Sequence, residues 1–266
     1  MGLGWLGMPL AKFLMEKGFE IRGSTTSAEK GERLKEKGIN AYPFFLNPKP
    51  EGEGGREVFD ADVLIINIPP KSRTHSEDYH LLQLESLKNL ITLRRIPKVI
   101  FVSATSVYPD LNGEALESDL LCPSNTGNRT LLEAENLLWK EKSYELTVIR
   151  LGGLLGDDRI PGLYVSNKVG VVGHAPVNYI YRDDAVRLLH WVIDVGLWNE
   201  TFNGVAPHHP LRREVYEKNA KDLDFPPPIS YASPAVQPWK IVSSRKIIQT
   251  GFTFLHHPLN FPYSMP

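Results

Sequence analysis

Gly2-Leu3-Gly4-Trp5-Leu6-Gly7 fits the pattern GxGxxG, with Met1 alone ahead of it. Such a loop sits where the first strand of a dinucleotide-binding βαβ unit turns into its first helix. Gly2 makes the tight turn, Gly4 lets the backbone approach a pyrophosphate, and Gly7 lets helix and sheet pack closely. Amides of the first turn, around Trp5, Leu6 and Gly7, then face the phosphates with the positive end of the helix dipole behind them. The residues that follow agree. Leu6, Leu10, Phe13 and Leu14 form an apolar stripe, Pro9 lies in the first turn, and Gly18 supplies a C-cap. Phe19-Glu20-Ile21-Arg22-Gly23 reads as the second strand. Glycine turns are common, so the motif alone would also suit a purely structural turn; the capped helix and the strand behind it favour cofactor binding.

The end of that strand bears on the choice of cofactor. An NAD binder places Asp or Glu there, about 20 residues on, against the ribose 2′-hydroxyl. Here the stretch is Ser24-Thr25-Thr26, with Arg22, Lys30 and Arg33 nearby. Nothing there repels a 2′-phosphate, and hydroxyls and cations are at hand, so NADP is preferred over NAD. Thr26 or Ser27 also suits the N-cap of the next helix, and the two roles are compatible.

Composition bounds the rest. The chain has 266 residues, enough for one large domain or two small ones, and a formal net charge of −1. That balance gives no reason to expect a nucleic-acid or membrane partner. A single cysteine, Cys122, excludes an internal disulfide and suits a reducing compartment, hence a cytoplasmic location. No signal peptide or long apolar run appears. Oligomeric state is left open.

Strands and helices alternate. Ile39 to Leu46 reads as the third strand, and Ala61 to Ile68 is a near-continuous apolar run, as in a parallel strand buried on both faces. Glu77 to Arg94 reads as a helix, Val99 to Val102 as a strand, Leu131 to Lys142 as a helix and Leu146 to Leu151 as a strand. The order predicts an α/β fold: a doubly wound Rossmann parallel sheet. After Gly152 the pattern loosens. Asn178 to Tyr181 and Thr201 to Val205 read as strands, Asp183 to Val195 and Leu211 to Lys221 as helices. The expected division is a nucleotide-binding core over 1–152 and, over 153–266, a smaller substrate-side lobe interleaved with the last sheet strands.

Gly4-Trp5-Leu6-Gly7-Met8-Pro9-Leu10-Ala11, Gly23-Ser24-Thr25-Thr26-Ser27, Ile68-Pro69-Pro70, Thr105-Ser106-Val107-Tyr108, Arg150-Leu151-Gly152-Gly153 and Val177 to Asp184 occur in this order. Together they resemble an atypical extended short-chain dehydrogenase/reductase of the NAD(P)-binding, nucleoside-diphosphate-sugar epimerase-like branch. The resemblance covers nearly the whole chain. It implies that the glycine loop and Ser24-Thr25-Thr26 hold the adenosine half of the cofactor. It also implies that Ile68, Pro69 and Pro70 line the path to the nicotinamide, and that Ser103 and Ala104 sit beside the ring. Pro69-Pro70 serves equally well as a plain strand terminator. A small-molecule substrate follows, with a sugar nucleotide as its expected class.

The chemistry departs from that family. Its enzymes deprotonate a hydroxyl with a Tyr whose pKa is lowered by a Lys four residues on, while a Ser or Thr orients the substrate oxygen. Here the Ser/Thr position is Ala104. Aligned on Glu135, Gly127 takes the Tyr place and Leu131 the Lys place. Tyr164-Val165-Ser166-Asn167-Lys168 has the YxxxK spacing but lies beyond the strand ending at Leu151, and roughly one chance match is expected. Thr105 and Tyr108 are the substitutes nearest the lost serine, although Tyr108 has no evident Lys partner. Asp183-Asp184 precede a helix, where carboxylates are stabilised. The pairs His208-His209 and His256-His257 point apart as chain neighbours, and no metal site is expected.

Two classes of function remain. One is an NAD(P)-dependent epimerase, dehydratase or reductase with an unrecognised acid. The other is a non-catalytic NAD(P)-binding sensor or regulator. Both carry the same expectation: the fold lacks its first, central strand, through a start-site or record error, which leaves unpaired edges in mid-sheet.

Overall fold

The structure is a computed structural model that describes residues 1–70, 75–76, 78–234 and 237–263. The glycine loop leads directly into α1 (Gly7–Glu16), whose buried face is Gly7, Leu10, Ala11 and Leu14. Each leucine so buried stabilises by about 1.5–3 kcal/mol. The helix closes in a Schellman arrangement: Gly18, at φ +88°, donates to the Met15 carbonyl and Phe19 to that of Leu14.

That closure corrects the second strand. Phe19 is part of the helix stop and is 39% exposed. The strand instead runs as β1 (Arg22–Thr25) and pairs in parallel with β2 (Asn40–Pro43), Ser24 opposite Tyr42. Between them lies α2 (Ala28–Lys35), N-capped by Ser27, whose Oγ accepts from Lys30 N at 3.1 Å. The expected third strand is likewise shorter. It breaks at Phe44, and β3 (Phe45–Asn47) folds back on β4 (Lys49–Glu51) as an antiparallel pair.

The short helix α3 (Gly55–Val58) leads to β5 (Val63–Ile66). Helix α4 is described from Tyr79 to Arg94; Glu77, the expected start, lies outside the described residues. Then come β6 (Lys98–Ala104), β7 (Gly113–Ala115), α5 (Arg129–Trp139) and β8 (Glu145–Leu151). Asn128 caps α5 through its Oδ1, which accepts from Leu131 N at 3.1 Å. The remaining elements are β9 (Gly153–Leu155), β10 (Tyr179–Tyr181), α6 (Arg182–Val195), β11 (Glu200–Gly204), α7 (Arg212–Asp222), β12 (Lys240–Val242) and α8 (Arg245–Gln249).

A central parallel sheet runs in the order β11-β8-β6-β5. All but the first residue of β8 is buried, Thr147 and Arg150 among them. Strands β1 and β2 form a separate two-stranded sheet, and β5 is an end strand. The backbone of Met1 to Leu3 bonds toward both: Asn67 N donates to Met1 O at 3.1 Å and Leu3 N to Ser24 O at 3.2 Å.

The chain divides into two compact units. One comprises 1–103, 122–149 and 189–201; the other comprises 104–121, 150–188 and 202–266. Among the described residues, no helix is long and apolar enough to cross a membrane.

Candidate functional site

Three glycines shape the loop, each for a different steric reason. Gly2 stands at φ +92°, and a Cβ there would lie 2.3 Å from Asn67 O. A Cβ on Gly7 would lie 2.0 Å from Gly2 O, so the first turn of α1 presses directly on the loop. Gly4 is exposed, and a Cβ there would meet nothing within 4 Å. The packed glycines thus hold up an open one, which is the arrangement a close-approaching phosphate needs.

The loop is braced on both sides. Gly2 N donates to Ser24 Oγ at 3.1 Å, and Asn67 Nδ2 donates to Gly2 O at 3.4 Å. Leu3 packs with Ala11, Leu34, Ile39 and Ala41, in space that Gly23 leaves by lacking a Cβ. Trp5 is half-buried and Leu6 buried. Leu6, at the N-cap of α1, provides no side-chain cap, and the first turn holds no acidic residue. The positive end of the dipole is therefore not neutralised by the helix's own side chains. An exposed glycine before such a helix start fits the pyrophosphate of a dinucleotide.

Along the strand end, Ser24 and Thr25 are buried and Thr26 is exposed. Ser24 braces the loop from inside, and Thr25 Oγ1 is buried without a hydrogen-bond partner. The nearby cations divide. Arg22 opens β1 and turns away, its guanidinium held by Glu20 at 3.0 Å and Asp60 at 2.5 Å. Lys30 Nζ donates to Leu3 O at 2.9 Å, and Arg33 is exposed on α2. Arg22 thus drops out of the expected cluster, because it lies at the wrong end of the corrected strand.

Ile68 lies beside the loop, its Cγ2 3.8 Å from where a Gly2 Cβ would stand; Pro69 is exposed and Pro70 half-buried. Ser103 is buried near the end of β6 and donates to Glu135 Oε1 of α5 at 2.5 Å. Glu135 is itself 2% exposed. In the same helix Leu131 is buried in the apolar face, and Gly127 is exposed just ahead of the cap.

Within the second unit, Ala104 is half-buried and Thr105 buried. Tyr108 is fully buried. Its hydroxyl accepts from Arg150 Nη1 at 2.8 Å and donates to Asn203 Oδ1 at 2.9 Å. Burial pushes its phenol pKa upward, opposed by the Arg150 charge and hydrogen bond. Tyr164 is 60% exposed on a single 3-10 turn, and Asn167 at φ +59° breaks the path to Lys168, so the two share no helix.

Asp184 is buried and accepts from Leu255 N at 3.0 Å, His256 N at 2.9 Å and Arg187 Nη1 at 2.8 Å. The histidine pairs do point apart, His208 stacking on His257 at 4.4 Å and His256 on Tyr181 at 4.4 Å. The described residues hold no group of three or more His, Cys, Asp or Glu suited to a metal.

Sequence reasoning missed Asn67, which props the loop from the end of β5, and the Ser103–Glu135 pair. Neither has a spacing signal, since the partners lie 65 and 32 residues apart.

No protein-family model matches the chain. It is 30% identical over 266 residues to Protein YeeZ of Escherichia coli (strain K12), a likeness covering 98% of this chain and 97% of that protein. The UDP-glucose 4-epimerase of Thermotoga maritima, solved with UDP-glucose, matches with a TM-score of 0.76 at 15% identity, over 97% of this chain and 93% of that one. Human epimerase family protein SDR39U1 (isoform2), solved with NADPH, matches at 0.69 and 19% identity, over 95% and 92%. The two structures share the fold.

Proposed function

From a chain that belongs to the family of Protein YeeZ and has the epimerase fold, we propose a protein that binds a nicotinamide dinucleotide, NADP in preference to NAD. One observation carries this reading: Gly4 lies open between two glycines that packing makes obligatory, ahead of a helix start free of side-chain cap and carboxylate. The NADP preference rests on Ser24-Thr25-Thr26, which has no carboxylate, on the unpartnered Thr25 Oγ1 and on exposed Arg33.

In this reading Gly2, Gly4, Trp5, Leu6 and Gly7 cradle the diphosphate. Ser24, Thr25 and Thr26 hold the adenosine end, and Ile68, Pro69, Pro70, Ser103 and Ala104 flank the nicotinamide end. The cofactor, when bound, supplies hydride transfer. The substrate class is a small molecule, a sugar nucleotide by analogy with the UDP-glucose held by the Thermotoga maritima epimerase. A reducing, cytoplasmic setting suits the exposed thiol of Cys122.

Whether the chain turns substrate over depends on its acid. In this reading Ala104, Gly127 and Leu131 take the places of the family's triad, and none of the three can transfer a proton. Under the enzyme reading Tyr108, with Thr105 beside it, is the acid. The second reading, a non-catalytic NAD(P) sensor, is favoured by the burial of Tyr108 and by the engagement of Ser103 with Glu135.

A thermal-shift series with NADPH, NADH and no ligand tests the cofactor. NADPH is expected to raise the melting temperature more than NADH. A larger shift with NADH reverses the preference, and none with either at millimolar concentration removes the proposal. Incubation with NADPH and a panel of UDP-sugars separates the two readings: turnover lost in Tyr108→Phe supports the enzyme, and tight binding without turnover supports the sensor.

A further inference from the structure

The adjacent pairs His208-His209 and His256-His257 take no part in the proposed function, yet the second unit engages all four rings. His256 and His257 lie in the last stretch of described chain, Phe252 to Tyr263, which is fastened like a strap to α6 and β10. Asp184 of α6 accepts from Leu255 N at 3.0 Å and His256 N at 2.9 Å, and Arg187 Nη1 donates to Thr253 O at 3.0 Å. Tyr181 Oη of β10 donates to Pro262 O at 2.9 Å, and Phe261 packs with Leu155 and Tyr181 in one buried cluster.

Between these fastenings the chain turns at His257. Its ring caps the 3-10 turn Pro258–Asn260: Nδ1 accepts from Leu259 N at 3.2 Å, and the His257 carbonyl accepts from Asn260 N at 2.7 Å. A ring nitrogen that accepts a hydrogen bond carries no proton, so this cap exists only in the neutral imidazole, with its hydrogen on Nε2. His208, which is exposed, stacks on that ring with centroids 4.4 Å apart at 36°. His209 is bound the other way round. Its Nδ1 donates to Val177 O at 2.9 Å, a bond that protonation leaves intact.

We propose that His257 and His208 form an acid-sensitive latch that holds this strap shut. A proton on Nδ1 of His257 turns the acceptor into a donor and leaves Leu259 N without its cap. It also sets a cation against the face of the His208 ring, and a second proton on His208 adds like-charge repulsion across the same short distance. Opening of the turn then loosens Phe261 from Leu155 and Tyr181.

The surrounding charges agree in sign. Burial and the charge of His208 both lower the pKa of His257 below the ordinary 6.5. The turn packs on α7 and β10. There α7 carries Arg212, Arg213, Lys218 and Lys221 against Glu214, Glu217 and Asp222, and β10 carries the phenols of Tyr179 and Tyr181; none of these offsets that shift. Glu114, whose charge acts on His209, is itself paired with Arg245 at 2.6 Å. The open strap therefore binds the His257 proton more tightly than the closed one, and falling pH favours opening.

Amide hydrogen exchange of the full chain at pH 7.5 and 5.5, corrected for intrinsic rates, tests the latch. Protection from Leu255 to Asn260 is expected to fall at least about tenfold at the lower pH while that of β8 holds. His257→Asn keeps a short acceptor at the N-cap that does not titrate, so its strap is expected to change by less than about threefold. His208→Gln removes the second charge and is expected to fall between the two. Equal protection of the parent strap at both pH values, or acid opening in His257→Asn as full as in the parent, overturns the proposal. NMR of the imidazole nitrogens in the parent keeps the test independent of any variant. Opening is expected to follow protonation of His257, and opening that instead follows a carboxylate such as Asp184 near about pH 4 overturns the assignment. No readout involves a nucleotide, so the result stands apart from the cofactor proposal.

Discussion

Gly4 and Gly7 are three residues apart and respond differently to the same methyl group. At Gly7 an added Cβ collides with Gly2 O at 2.0 Å, against backbone that cannot yield. Gly7→Ala is expected to destabilise the protein by about 1–3 kcal/mol in a urea melt and to weaken NADPH binding with it. At Gly4 the methyl meets nothing. Gly4→Ala is expected to leave the melt within about 0.5 kcal/mol of the parent while the NADPH Kd, by titration calorimetry, rises about tenfold or more. A large stability loss in Gly4→Ala would contradict the open cradle. Ser103 makes a different kind of contact, since Ser103→Ala strands a buried carboxylate oxygen of Glu135. A loss of about 1–3 kcal/mol is expected, with Glu135→Gln in the same background recovering part of it. The glycines were legible because their spacing is local. Asn67 and Glu135 were not, because nothing in the neighbouring sequence marks a residue whose partner is set by the packing of distant strands and helices.

Among the elements, helices were read closely and strands less so. Residues Leu10 and Leu14 with the Gly18 stop define α1 from within its own sequence. Phe19 misled because an apolar residue after Gly18 suits both a strand start and the apolar contact of a Schellman closure; the hydrogen bond to Leu14 O decides for the latter. The hairpin of β3 and β4 was hidden because its return strand, Lys49-Pro50-Glu51, is exposed and polar around a proline, with none of the apolar alternation that marks a strand. Tyr108, which follows the 3-10 turn Thr105–Val107, is fixed by long-range bonds. Tyr108→Phe removes the hydroxyl shared by Arg150 and Asn203, both buried in the second unit. A loss of about 1–3 kcal/mol is expected in thermal unfolding, whatever its effect on turnover. An unchanged melt would mean that the three groups are less tightly coupled than their geometry indicates.

At the scale of the molecule, the doubly wound order was legible from alternation. Stability has a pH signature. Burial lowers the pKa values of His80 and His209 below the ordinary 6.5, so the unfolded chain binds more protons below 6.5 and stability rises with pH up to that point. Urea melts at pH 5.5 and 8.0 check the slope. The second unit has its own buried carboxyl side chain in Asp184. Asp184→Ala is expected to destabilise by about 1–3 kcal/mol and to hasten proteolysis around Leu255. The amides that satisfy this carboxylate lie 71 and 72 residues further along the chain, so it leaves the ribosome long before they do. A nascent chain paused between them would carry an acidic group without these two backbone donors, so this cluster closes only once residue 256 has been made.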